Sequence, residues 1–334
     1  MARMLSRATI TLMYRLLSVG IALLASTAYV SQSHAGIVTF GTGANQFQME
    51  FVTIGNPGNA ADTTGAPNPA GAVGYEYGIG KFEVSEDMIN KFNASQGLQI
   101  TKDNRGVNKP ATSVSWNEAA RFVNWLNTST GNAAAYKFTT SGVNDDIELW
   151  APGDAGYDPS NQYRNSLAKY FLPSYNEWYK AAYYNPGNST YYNFAYGSNT
   201  APTAVTSGTT ANTAVYQFIG QGPADVTEAG GLSPYGVMGL EGNVYEWEES
   251  SFDLANSSVS SFRAARGGCY VDGSNFLSSS SRYYGNTNTD DNIVLGFRVA
   301  SLSSSAPPVP EPSTLVIGTL FGLGGLLAKR RMKR

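Results

Sequence analysis

The sequence predicts an α+β fold with two main helices, short strands and little other regular secondary structure. Two segments combine an N-terminal cap with apolar residues at helical spacing, which predicts amphipathic helices. Charged residues are only 14% of the 334 residues, whereas glycine and tyrosine are abundant, at 36 and 21. That composition favours turns and short strands over long helices.

The predicted helices lie in "SVSWNEAARFVNWLN" and "LPSYNEWYKAAYY". In the first, Ser115 is the expected N-cap and Glu118 stands at the third helical position, which together form a capping box. Ser174 and Glu177 repeat this pattern in the second. Strands are predicted from alternating or continuous apolar residues; they are Gln48–Ile54, Tyr75–Val84 and Gly296–Ala300.

The first 35 residues have the pattern of a secretory signal peptide. Three arginines precede the apolar stretch "LLSVGIALLA", which is too short to span a bilayer, and a small-x-small site ends at Ala35. We expect cleavage after Ala35; an uncleaved anchor is the alternative. The chain is then divided into a signal peptide (1–35), one domain (36–305) and a tail (306–334).

Charge and histidine content exclude several functions for the exported part. Residues 36–310 hold 14 basic and 24 acidic residues, a net charge near −10, which repels phosphate backbones and argues against nucleic acid as a partner. The only histidine, His34, lies in the predicted signal peptide. A mature chain without histidine cannot build a Ser-His-Asp triad, a Cys-His pair or histidine-ligated zinc.

The tail combines a short apolar segment with a basic end. Leu315–Ala328 is shorter than the roughly 20 residues that a membrane-spanning helix needs, and five of the last six residues are basic. With Val309, Pro310, Glu311 and Pro312 ahead of it, this order resembles the PEP-CTERM sorting signal.

That resemblance implies export, an exosortase as partner, and transient membrane association through the tail. It also implies removal of the tail and delivery to the cell envelope, the outer surface or the extracellular matrix of a Gram-negative-type bacterium. The alternative is a plain C-terminal anchor, a transmembrane helix that stays in place.

Five segments of the body occur in a characteristic order: "YEYGIGKFEVSEDMINKF", "KPATSVSWNEAARFVNWLN", "YFLPSYNEWYKAAYY", "SPYGVMGLEGNVYEWEES", and "ARGGCYVDG" followed by "LGFRVA". This series resembles the sulfatase-modifying-factor domain, the formylglycine-generating-enzyme-like family, over about residues 48–301. The resemblance implies a variant of the C-type-lectin fold with little regular secondary structure.

Catalytic members of that family oxidise a substrate cysteine with molecular oxygen through two copper-holding cysteines. Here the positions of that pair fall on Asp272 and near Leu277, and the only cysteine, Cys269, stands where the family has serine. We therefore expect no oxidase chemistry and a Cys269 that acts as a small buried apolar side chain. A reactive thiol is the alternative.

The family resemblance also implies calcium sites. One falls on Gly242, Val244 and Glu246, although Gly239 stands where an oxygen-bearing side chain is expected; Asn212 matches a ligand of the other. We expect calcium at most as a weakly held cofactor.

In the segment Gly242–Trp247 we expect Glu246 to face inward to a cation or a buried donor and Trp247 to anchor the core. Arg298 and Glu177 are expected to be paired framework residues, because a buried charge must be paired.

The function expected from the sequence is binding or structure at the cell surface or in the matrix, with an extracellular polysaccharide or matrix component as partner. Two alternatives stay open. One is an active formylglycine-generating oxidoreductase that acts on a cysteine of sulfatases. The other is a glycan hydrolase that uses paired carboxylates, for which the candidates are Asp145/Asp146, Asp290/Asp291 and Glu246/Glu248.

Overall fold

The structure of the chain, a computed structural model, describes residues 36–218, 220–285 and 292–302. The predicted signal peptide, Asp290/Asp291 and the sorting tail with Val309–Pro312 lie outside these residues. Within them no helix is long and apolar enough to cross a membrane.

The described residues form an α+β fold, which confirms the predicted class. Three α-helices are present: α1 (Glu86–Ser95), α2 (Trp116–Ser129) and α3 (Tyr175–Tyr183). Two short 3-10 helices span Gly43–Asn45 and Ser274–Leu277. The strands are β1 (Gly36–Phe40), β2 (Phe47–Ile54), β3 (Tyr77–Gly80), β4 (Tyr170–Phe171), β5 (Tyr184–Asn185), β6 (Thr190–Tyr191), β7 (Thr203–Val205), β8 (Thr213–Val215), β9 (Tyr245–Ser251), β10 (Arg263–Arg266), β11 (Tyr283–Gly285), β12 (Leu295–Gly296) and β13 (Ala300–Leu302).

Two larger sheets organise the domain. One is antiparallel with the strand order β1-β2-β3-β13-β4, and the other has the order β11-β10-β9-β12, in which β9 and β12 are parallel. The small pairs β5-β6 and β7-β8 complete the described strands.

Strand β2 shows how the five-stranded sheet is covered on both faces. Phe47, Met49 and Phe51 belong to the apolar cluster that contains the buried face of α2. Val52 and Ile54 point to the opposite face, since side chains alternate along a strand, and they join the cluster that contains α3.

Both predicted helices begin where their caps predict. Ser115 accepts a hydrogen bond from the Glu118 backbone N–H, and the Glu118 carboxylate accepts one from the Ser115 N–H. Ser174 and Glu177 form the same reciprocal pair at the start of α3. Each capping box satisfies backbone N–H groups that a helix start otherwise leaves without a partner.

The first helix, α1, was not among the predicted helices. Its cap, Ser85, accepts from the Met88 N–H, acidic residues fill its first turn, and Ile89 and Phe92 are buried. The cap and the apolar spacing were visible in the sequence, but the segment is short and directly follows a predicted strand.

Two of the three strand predictions need correction, one in its length and one because it spans two strands. Gln48–Ile54 lies within β2, but Tyr75–Val84 contains only the four-residue strand Tyr77–Gly80. Gly296–Ala300 is not one strand, because it starts in β12 and ends in β13, which belong to different sheets. The three residues between them cross from one sheet to the other, and this crossing carries Arg298.

Candidate functional site

The turn before β9, which contains Gly242, packs closely against two neighbouring segments. Gly242 has φ +72°, and a Cβ there would lie 2.1 Å from the Val215 carbonyl oxygen, so no residue with a side chain fits. The Gly242 N–H donates to the Gly267 carbonyl at 2.7 Å. The turn is thereby held between the end of β8 and the glycine pair after β10.

Strand β9 is buried at all seven positions although it carries three glutamates. Each glutamate pairs with an arginine from another part of the chain, as a buried charge requires. The pairs are Glu246–Arg298, Glu248–Arg266 (2.6 Å) and Glu249–Arg164 (2.9 Å). Arg164 also binds Glu177 at 3.0 Å, so Glu177 is paired too.

Glu246 faces inward to buried donors. Its carboxylate accepts from Nε and Nη2 of the Arg298 guanidinium and, at 2.7 Å, from the Trp178 indole N–H. Arg298 also donates to the carbonyl oxygens of Gly80, at 2.8 Å, and Met238, at 2.9 Å. The pair therefore joins β9, helix α3 and the crossing between the two sheets in one network.

A second buried carboxyl group, Glu83, lies beside this network. One of its oxygens accepts from the Asn243 side-chain amide at 2.9 Å, and the other has no hydrogen-bond partner. A Cβ added at Gly239 would lie 3.0 Å from the Glu83 carboxyl group, so this carboxyl fills the space beside Gly239. Burial and the nearby Glu246 carboxylate raise the pKa of Glu83 to about 8.

Sequence reasoning missed Glu83 because it stands in the apolar run "KFEV", which was assigned to a strand. A charged residue between buried apolar neighbours was the available signal, since an unpaired carboxylate is rarely buried.

The segment that follows β10 places the Cys269 side chain in the core. Gly267 and Gly268 have φ of +98° and +71°, and a Cβ at Gly268 would lie 2.8 Å from a methyl group of Leu277. Cys269 is 1% exposed, and its thiol donates to the Asp272 carboxylate at 3.3 Å. Burial, with Asp272 beside it, raises the pKa of Cys269 to about 12, so the thiol is protonated at neutral pH.

Comparison of the chain with models of known protein families identifies its family. The sequence profile of the sulfatase-modifying factor enzyme 1-like domain matches residues 35–302. The chain belongs to this family. A search of the curated proteins found no match for the chain.

One solved structure agrees at the level of the fold, and two others match more weakly. Treponema denticola variable protein 1 is similar with a TM-score of 0.55 and 17% identity, over 80% of this chain and 99% of that one. CarF matches with a TM-score of 0.49 and 18% identity, over 80% and 96% of the two chains. PvdO from Pseudomonas aeruginosa matches with a TM-score of 0.49 and 16% identity, over 81% and 100%.

The sulfatase-modifying-factor resemblance places a cysteine pair at two positions. In this chain those positions are occupied by Asp272 and Leu277. Asp272 is half-buried and accepts from both the backbone N–H and the thiol of Cys269. Leu277 is fully buried at the end of a 3-10 helix, where its carbonyl accepts from the Tyr183 hydroxyl at 3.0 Å. A carboxylate and an isobutyl group do not form the thiolate pair that copper binding requires in this family.

The calcium positions of the resemblance belong to two separate sites. Gly242 and Val244 lie in the turn before β9, and Glu246 is the second residue of β9. Asn212, the candidate for the other site, lies directly before β8. Because both Glu246 oxygens accept from Arg298, these residues do not fit a calcium site built on Glu246. Across the described ranges no group of three His, Cys, Asp or Glu side chains could hold a metal ion.

The acidic pairs proposed for hydrolysis have structural partners as well. Glu246 and Glu248 are fully buried and each binds an arginine. Asp145 caps its own loop by accepting from the Gly142 N–H at 3.0 Å, and Asp146 accepts from the Asn117 amide at 3.2 Å. The buried Glu246 and Glu248 carboxylates are therefore not accessible to a sugar ring.

We expect Cys269 to be inert but replaceable. A Cys269→Ser hydroxyl can donate to the same Asp272 oxygen as the thiol does, so the change should cost at most about 1–2 kcal/mol of stability. Thermal melting checks this, with Cys269→Ala, which loses the donor, as the comparison. Native Cys269 should react with a thiol reagent only after denaturation; fast labelling of the native protein at neutral pH would contradict the buried thiol.

Stability should fall as the pH rises from about 5 to 8. Glu83 and Glu241 are buried, and burial raises the pKa of each to about 8 from 4.5. The folded chain then binds more protons than the unfolded chain, so stability present below pH 4.5 is lost as the pH rises through 8. Each carboxyl group contributes at most about 1.4 kcal/mol per pH unit.

Urea unfolding at several pH values measures how the free energy of unfolding changes with pH. Glu83→Gln should make that change smaller. The fall in stability should end near pH 8, because burial lowers the pKa of Lys180 to about 8. Above that pH the unfolded chain keeps the Lys180 proton longer than the folded chain does, so stability then rises with pH. A stability that stays constant or rises from pH 5 to 8 would show that these carboxyl groups titrate normally.

Proposed function

We propose that this chain is an exported member of the sulfatase-modifying-factor family without oxidase chemistry, which binds or organises material at the cell surface or in the extracellular matrix. The observation that carries the proposal is the state of Cys269. It is the only cysteine of the chain, it is buried, and its protonated thiol is bound to Asp272. A single thiol of this kind cannot supply the two thiolates that the family's copper chemistry uses.

The ends of the sequence support the proposed location. The basic and apolar start with its small-x-small site is typical of a signal peptide. The Pro-Glu-Pro element, short apolar segment and basic end resemble a tail that an exosortase removes. Polysaccharide or another matrix component is the proposed partner, as fits a protein delivered to the cell surface. The net charge of the body near −10 disfavours nucleic acid.

The tail gives the most direct test of location. In a bacterium that has an exosortase, protein recovered from the envelope should lack the basic end, and Glu311→Ala with Pro312→Ala should retain it. Ser313→Ala with Thr314→Ala is the matched control and should be processed normally. Mass spectrometry of intact protein distinguishes the forms; envelope protein that still ends in Arg334 would contradict the proposal.

A further inference from the structure

A cavity of about 360 Å³ lies between α1, α2 and residues 134–150, and neither Glu246 nor Cys269 lines it. Its volume falls in the range of small-molecule sites, about 300–1,000 Å³. Aromatic side chains form much of its wall, and charged or amide groups interrupt them. The residues used below are Arg121, Asn124, Trp125, Lys137, Phe138 and Trp150.

The two tryptophans of the cavity are held in place by other contacts. Trp125 stacks on Phe47, with ring centroids 5.9 Å apart, and meets the edge of Phe92 at 5.6 Å. The Trp150 indole N–H donates to the Ala135 carbonyl at 2.9 Å. Rings fixed in this way lose little conformational entropy when a ligand packs against them.

The protein segment that faces these rings is fixed as well. The Asn124 side chain donates to the Tyr136 carbonyl at 2.7 Å and accepts from the Tyr136 N–H at 2.9 Å. Lys137 on the same segment pairs with Asp154 at 3.0 Å and with Glu148 at 4.0 Å. Its charge is therefore already neutralised.

Arg121 is the cation of the cavity that lacks such a partner. It is 7% exposed, its guanidinium lies 3.9 Å from the Phe138 ring centre, and one amino group donates to the Thr140 carbonyl at 3.2 Å. Its Nε is buried without any acceptor. Asp145 attracts it only from beyond hydrogen-bonding distance. A buried charge without a carboxylate in contact is costly, and the carboxylate of a ligand in the cavity would supply that counter-charge.

We propose that this cavity binds an acidic sugar unit, a uronate residue of a polysaccharide, with its ring against the tryptophans and its carboxylate on Arg121. The tryptophan faces match the apolar C–H faces of a pyranose ring, and the guanidinium fork matches a carboxylate. Thr128 at the cavity is exposed, so a sugar chain can continue into solvent. This inference names the ligand class of the proposed surface function and rests on that function.

The test is titration of the full chain with tetragalacturonate, followed by calorimetry and tryptophan fluorescence. Tetragalacturonate should bind, maltotetraose of the same length should bind at least tenfold more weakly, and added salt should weaken the first. Arg121→Gln should weaken tetragalacturonate binding about tenfold or more and leave maltotetraose unchanged. Lys109→Gln is the matched control, because it removes an exposed cation that pairs with Asp225 outside the cavity.

The inference is overturned if tetragalacturonate fails to bind at millimolar concentration, if both tetrasaccharides bind equally, or if Arg121→Gln and Lys109→Gln have the same effect. Should Arg121→Gln fail to fold, Trp150→Ala carries the test and should weaken binding of the acidic tetrasaccharide. Absence of binding leaves tail processing and the lack of oxidase activity untouched, so failure here is distinguishable from failure of the proposed function.

Discussion

We expect Trp247→Ala to destabilise the domain by about 3–5 kcal/mol. Trp247 is fully buried in the cluster that contains α2, and its indole N–H donates to the Val114 carbonyl at 2.8 Å. The alanine variant leaves a cavity and an unsatisfied carbonyl. Because the total stability of a domain is about 5–15 kcal/mol, the melting temperature should drop sharply or folding should fail.

Urea and thermal unfolding of the full chain measure this effect. Trp150→Ala is the matched control, since it removes the same side chain at a half-buried position and should cost clearly less. A Trp247→Ala variant that melts like the wild type would contradict the anchoring role.

We expect Arg298→Met to have an effect of similar size, about 3–5 kcal/mol, because it leaves Glu246 buried without its counter-charge. It also removes donors from the carbonyl oxygens of Gly80 and Met238. Adding Glu246→Gln should recover part of the loss, because the double variant no longer holds an unpaired charge. Lys109→Met, which breaks an exposed pair, should cost at most about 1 kcal/mol.

Equilibrium unfolding of the wild type, the two single variants at Arg298 and Glu246, and the double variant completes this double-mutant cycle. If the effects of Arg298→Met and Glu246→Gln simply add, the two residues do not act as a pair, and the account of the network is wrong.

Local sequence signals predicted the parts of the fold that local interactions decide. Ser115 and Ser174 marked helix starts because a cap and its glutamate are three residues apart in the sequence. The strand Gln48–Ile54 was predictable from its apolar pattern. The crossing at Arg298 was not, because a short, mostly apolar segment looks the same whether it stays in one sheet or passes between two.

The candidate site shows the same limit. The family motifs located Glu246 and Cys269, but their partners come from distant segments that no local pattern connects to them. Arg298 is 52 residues from Glu246, and Glu83 is 160 residues from its partner Asn243. The cavity beside Arg121 likewise depends on side chains of three separate segments, so only the folded chain brings them together.

The central claim, that this family member lacks oxidase chemistry, is tested most directly by oxygen consumption. The purified protein is mixed with copper and a cysteine-containing peptide, with a catalytic member of the family as positive control, and the peptide is then analysed by mass spectrometry. We predict no copper-dependent oxygen uptake above that of Cys269→Ser and no formylglycine in the peptide. Copper-dependent uptake that forms formylglycine and disappears in Cys269→Ser would contradict the account.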